Sequence, residues 1–249
     1  VQFRVVENKL GLRSGDRIKY GHRGYCTYLR EQDRGPVEAA EKDSLFDLVE
    51  RWLERTPFLN LGKFDFWEHY KNTVKSMLDE DRASIRTNTA LDAESRSEQL
   101  KGIDGMQEHF DSIIDPGAHK KLVERGDRRL SHRAIQAALL ITLYQDEPML
   151  SMPHRLLQCL QDVDELLTLW RYRHALMVHR MLGVKIGTGG SSGYHYLRST
   201  ATRHKIFTDL FNLSTFLVPK ASLAPLPDEI AGLMGFGGHG RVTPAAGGA

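Results

Sequence analysis

The chain has 249 residues, 41 % of them hydrophobic and 27 % charged, with a formal net charge of only +2. That length buries enough core for one large domain or two modest ones, and so near-neutral a balance carries no electrostatic footprint for nucleic acid. Two cysteines, Cys26 and Cys159, cannot build a disulfide framework and suit a reducing cytoplasm, and apolar runs such as Ala137-Ala138-Leu139-Leu140-Ile141 are far too short to cross a membrane.

Taken in chain order, the periodicity is helical nearly throughout. Val1 to Val6 reads as the interior of a helix and not as a leader, so the chain is expected to be a fragment whose N-terminal part lies upstream. Residues 12–40, polar and carrying Gly15, Gly21, Gly24 and Gly35, read as a long connection. After a cap at Ser44, Leu45, Phe46, Leu48, Val49, Trp52 and Leu53 recur at helical spacing, and Pro57 follows the stop. Phe66, Trp67, Tyr70, Val74, Met77 and Leu78 mark a second helix. Leu100, Ile103, Met106, Phe110, Ile113 and Ile114 mark a third, ended by Asp115-Pro116-Gly117.

Ser131 caps a strongly apolar helix with Ile135, Ala138, Leu139, Ile141 and Leu143. Pro153 is suited to open the next helix at its first position, and a long helix from about Asp162 to Leu182 stops at Gly183. A last helical region covers Tyr194 to Leu217 and ends at Pro219. No strand alternation competes, so the predicted fold is all-α. It is expected to occupy residues 1–220, with 41–125 as a smaller helical subdomain. Residues 221–249 form a C-terminal tail, disordered from about residue 235, where Gly-Phe-Gly-Gly-His-Gly begins.

Chemistry concentrates near residue 174. On the helix over 162–182, Leu167, Trp170, His174, Met177 and Met181 follow a 3-4-3-4 spacing and share one stripe. His174 is therefore expected to face the interior among apolar neighbours. A neutral imidazole there can offer a ring nitrogen to a metal, and haem iron commonly takes one such histidine. Arg171, Arg173 and Arg180 are placed to neutralise haem propionates. The competing reading, a hydrogen-bonded core histidine, stays open on the residues alone. His179 points well off the stripe and reads as a partly exposed polar residue, and His195 and His204 have no partners at metal-motif spacing.

Gly187-Thr188-Gly189-Gly190-Ser191-Ser192-Gly193 follows a helix and lacks a closing Gly-Lys-Ser/Thr, which argues against a phosphate-binding loop. A mobile lid and an ordinary surface connection both suit four glycines and two serines. Arg4 could fork onto a carboxylate, or sit solvated on the surface.

Taken together, the chain resembles the tryptophan 2,3-dioxygenases. The resemblance covers roughly residues 2–219. It rests on Gln2-Phe3-Arg4 with Glu7-Asn8-Lys9, Trp52-Leu53-Glu54-Arg55-Thr56-Pro57 and Arg128-Arg129-Leu130-Ser131. Its most specific blocks are Trp170-Arg171-Tyr172-Arg173-His174, Gly187 to Thr200 and Asp209-Leu210-Phe211-Asn212-Leu213-Ser214. It implies a multi-helix haem-dioxygenase bundle that joins O2 to L-tryptophan and yields N-formylkynurenine, the first step of the kynurenine route. It implies one b-type haem per subunit, with His174 as the proximal iron ligand. Arg4 would bind the substrate carboxylate, and Thr188 the carboxylate and ammonium ends. A homotetramer is also implied, and a second, non-catalytic tryptophan site built partly from Trp52, Arg55 and Pro57. For that last site a helix-end core tryptophan with a capping arginine stays an equal alternative.

Residues 1–249 contain no counterpart of the family's distal Ser-x-x-His-Asp-Glu motif, so no catalytic residue is assigned in this chain. That leaves a runner-up, a non-catalytic haem- or tryptophan-binding helical module without a distal half-site. A purely structural helical protein is the third reading.

Overall fold

Side-chain caps start most of the helices. The computed structural model describes residues 6–7, 9–12, 31–32, 44–56, 65–183, 194–195, 197–198 and 205–234. Ser44 opens α1 (Leu45–Glu54) with a capping box, its hydroxyl accepting from the Asp47 N–H while the Asp47 carboxylate accepts from the Ser44 N–H. Asp65 caps α2 (Phe66–Thr87) and Asp92 caps α3 (Ala93–Ile114). Asp115 ends α3 and also caps α4 (Pro116–Arg125), whose first residue is Pro116. Backbone N–H donors hold the Asp92 and Asp115 carboxyls below the usual carboxylate range. Ser131 caps α5 (His132–Leu143).

α6 (Pro148–Leu182) is 35 residues long, or about 52 Å. The sequence separates this stretch into two helices, but Pro153 lies inside a single one. Proline forfeits one helical hydrogen bond there, and Leu150, Leu157 and Leu160, buried on both sides of it, hold the helix together. The chain continues through α7 (Thr208–Phe211), a 3₁₀ turn (Asn212–Phe216) and α8 (Asp228–Met234). Every described element is helical, as predicted, and no described helix is long and apolar enough to cross a membrane. The tail from residue 235 and most of the connection over 12–40 lie outside the described residues.

α5 is the centre of the fold. Ala134, Ile135 and Ala137 to Ile141 are all buried, so this helix is covered on every side, and α1, α3, α4, α6, α7 and the 3₁₀ turn pack around it. Each such leucine or isoleucine contributes about 1.5–3 kcal/mol by leaving water. α2 lies along α3, and Tyr70 of α2 reaches in to donate to the Phe216 carbonyl at 2.6 Å.

Two buried carboxylates fix the irregular segments. Asp164 on α6, wholly inaccessible, accepts the Ile206 N–H at 2.8 Å and the Phe207 N–H at 2.6 Å. Asp209 accepts the Arg129 and Leu130 N–H groups, each at 2.7 Å. Arg129 in turn donates to the Ile206 and Gly11 carbonyls and lies over the Phe46 ring at 4.0 Å. Ser131 N–H and hydroxyl reach Glu50 and Glu54 of α1. The Arg128 to Ser131 block thus knots the N-terminal segment, α1 and the 205–209 segment together.

His119 and His132 pack edge to face, 5.3 Å apart, with their Nε2 atoms 2.9 and 2.8 Å from the Leu130 and Ile113 carbonyls. Burial pushes both imidazoles below the ordinary histidine value.

Two predictions follow from this packing. Asp164→Ala leaves two buried N–H groups without that acceptor, at about 1–3 kcal/mol each, and chemical denaturation should show a loss of about 2–6 kcal/mol with an unchanged denaturant slope. With both histidines depressed, the unfolded chain binds more protons once pH falls through about 6.5, so stability should drop there. Thermal denaturation between about pH 7 and pH 5 should show that slope, flattened in the His119→Gln/His132→Gln double variant.

Candidate functional site

The C-terminal half of α6 has two unlike faces. Its buried side runs through Leu157, Leu160, Asp164, Arg171 and Ala175, at spacings of three, four, seven and four. The stripe expected to face the interior does so only in part: Leu167 packs against the core, while Trp170, Met177 and Met181 lie toward solvent. Trp170 is 42 % exposed, Met177 52 % and Met181 73 %, with Leu166 at 65 % beside them. His174 sits half-buried at the boundary of the two faces, its ring edge-on to the Trp170 indole at 5.0 Å. The correction has a clear cause. Helical spacing shows which side chains share a face, but not that the face is covered, and here two charged residues with distant partners hold the inner side.

Arg171 is one of them. Its Nε and Nη2 both donate to Glu7 Oε1, at 3.1 and 2.8 Å, and both side chains are at most 5 % exposed. It is therefore not among the arginines free to meet a propionate, whereas Arg173 and Arg180 are exposed. His179 packs against the Tyr194 ring at 4.3 Å, which brings the far side of the glycine loop back to the last turn of α6. Thr188 and that loop lie outside the described residues, as do Arg4 and Pro57.

Around α1, two of the predicted trio are described, Trp52 and Arg55. Trp52 packs at the edge of the hydrophobic core. Arg55 is exposed, its Nε donating to the Arg51 carbonyl, and it lines an open groove of about 350 Å³ with Leu48, Arg51 and Glu54. Among the described residues no three histidine, cysteine or carboxylate side chains gather into a metal-binding group.

Sequence reasoning missed Glu7, Asp164 and Arg129. One signal was available. Leu150, Leu157, Asp164 and Arg171 stand seven apart, a spacing that puts two charges on an otherwise apolar stripe.

The family model for tryptophan 2,3-dioxygenase matches residues 1–217. The chain belongs to that family. It is 46 % identical over 236 residues to the tryptophan 2,3-dioxygenase of Bdellovibrio bacteriovorus, covering 94 % of this chain and 66 % of the relative. The Dictyostelium discoideum enzyme of that name is 45 % identical over 238 residues, covering 95 % of this chain and 60 % of the relative. The one from Anopheles gambiae is 47 % identical over 236 residues, covering 92 % and 59 %. The chain thus spans about three fifths to two thirds of the length of these curated relatives. The tryptophan 2,3-dioxygenase match takes in all of α6 and the 3₁₀ turn and stops before α8, so every candidate site residue lies within it.

Proposed function

We propose that this protein is a haem-dependent dioxygenase that inserts O2 into the indole ring of L-tryptophan to give N-formylkynurenine. The observation that carries the reading is the half-buried His174 imidazole set in an apolar, solvent-facing stripe of α6, within a chain of this family. Such a stripe suits the face of a flat, apolar macrocycle, and a single imidazole suits a metal whose other ligands arrive with it. The residues therefore fit haem. His174 would hold the iron, Trp170 and Met177 would supply apolar contact, and Arg173 and Arg180 would be the cations for the propionates.

Bound ferrous haem supplies oxygen chemistry that amino-acid side chains lack. The chain's own residues bind and orient. Arg4 offers a guanidinium fork to the substrate carboxylate, and Thr188 a hydroxyl to the carboxylate and ammonium ends. Indole is apolar and its zwitterionic end is not, so a site for this substrate needs an apolar slot with a few placed polar anchors. The glycine loop is assigned the exclusion of water from the site. Both oxygen atoms end in the product, so turnover consumes no further reductant.

The open groove beside Arg55 supports a second tryptophan site near α1, since two guanidiniums, a carboxylate and Leu48 offer partners to both ends of a zwitterionic amino acid. Trp52 belongs to the alternative reading there, because it packs at the core. The family resemblance also supports a homotetramer, and the cysteine content a cytoplasmic setting.

Replacing His174 by alanine should abolish stoichiometric haem binding in the haem-loaded protein, read from the haem-to-protein absorbance ratio. A normal haem spectrum in that variant overturns the assignment. Arg4→Ala should keep its haem but bind L-tryptophan about 10- to 150-fold more weakly, the equivalent of about 1.5–3 kcal/mol for a charged hydrogen-bonded pair. Anaerobic titration of the ferrous protein measures this, and an unchanged affinity contradicts the role.

A further inference from the structure

Burying an ion pair costs desolvation that mutual attraction only partly returns, and apolar residues of the same volume are often the more stable choice. Where such a pair stands, the useful question is what it specifies. Glu7 and Arg171 are 2 % and 5 % exposed and 164 positions apart, and both guanidinium donors converge on the one oxygen, Glu7 Oε1.

Each partner sits on a firmly held element. The helical residues around Glu7 end at Gly11, whose φ of +100° is a conformation that glycine tolerates. The Leu12 N–H closes the end onto the Glu7 carbonyl at 3.0 Å. Gly11 also lies so close to α1 that a Cβ there would stand 2.5 Å from Phe46 Cβ, and its carbonyl accepts from Arg129. Arg171 lies on the inner face of α6, one turn before His174. The pair therefore ties the N-terminal segment to the turn of α6 that carries the proposed iron ligand. Apolar packing tolerates sliding. A carboxylate oxygen shared by two donors of one planar guanidinium does not, because both bonds hold at one relative position of the two backbones.

We propose that Glu7–Arg171 is a positioning pair: it sets the register on α6 of the described N-terminal residues, which begin two positions after Arg4 in the sequence. This rests on the dioxygenase reading and adds two residues to it that touch neither haem nor substrate. The pair governs how the substrate carboxylate is met, while haem retention belongs to His174.

The test uses the haem-loaded protein with three forms, wild type, Glu7→Gln and the apolar pair Glu7→Leu/Arg171→Met. Five quantities are read: haem stoichiometry, thermal midpoint, the L-tryptophan Kd of the anaerobic ferrous form, kcat and KM. In Glu7→Gln, Kd and KM should rise together by about tenfold or more, since displacing a positioning group by about 1 Å is enough to cost that much. Haem stoichiometry should stay at the wild-type value. In the apolar pair the thermal midpoint should return to the wild-type value or above, with tryptophan binding still weakened.

Tryptophan affinity within about twofold of wild type in Glu7→Gln overturns the proposal. So does recovery of affinity in the apolar pair, because that makes the contact merely structural. If Glu7→Gln fails to fold, the apolar pair decides alone. A wild-type protein that takes up haem yet neither responds to L-tryptophan nor turns it over sinks the dioxygenase reading itself, and this inference with it. The two failures are therefore distinct.

Discussion

Backbone polar groups that leave a helix inside a protein must find partners, and in this protein two buried carboxylates meet that demand. Asp164 and Asp209 together accept four N–H groups, those of Ile206, Phe207, Arg129 and Leu130. These N–H groups belong to non-helical segments that run against α5 and α6, where Ile206, Phe207 and Leu130 are almost fully buried. An unpartnered N–H in such a place costs as much as a lost hydrogen bond or more. Serving them from side chains lets the chain make tight, irregular turns within its own core. Arg129 completes the arrangement by giving its donors to the Ile206 and Gly11 carbonyls.

That arrangement decides how α6 is used. Its inner face carries an acid and a base, each with a partner distant in sequence, so the helix is pinned at Asp164 and again at Arg171. The pins release the other side from structural duty. Trp170, Met177 and Met181 can then stand at the surface around His174, where they offer apolar contact to something other than the core. The inner face of α6 thus combines leucines and an alanine with two partnered charges, while the outer face mixes charged and apolar side chains.

Much of the fold was legible because local chemistry wrote it. Ser44, Ser131 and Gly183 mark helix ends by rules that need no tertiary context, and each does so in the structure. Prolines were less transparent. Pro116 reads as a stop, yet it ends one helix and begins the next, since its fixed φ suits a first helical position. Pro153 reads as a start but lies inside α6, carried through by burial on either side. The site was legible mainly through resemblance. Periodicity found the stripe containing His174 but buried too much of it, because Asp164 and Arg171 look like surface residues until Ile206 and Glu7 are folded against them. No local signal could supply partners 42 and 164 positions away.

The separation of Glu7 from Arg171 also bears on how the chain is made. When Glu7 is added to the growing chain, its partner is still 164 residues from being synthesised, a delay of about 8–33 s at ordinary translation rates. Gly11 and Leu12 must likewise wait for α1 and Arg129. The nascent N-terminal segment thus spends that interval without its final contacts, and it docks only after the helix bearing His174 has emerged. Docking of the N-terminal residues is in this way scheduled behind completion of α6.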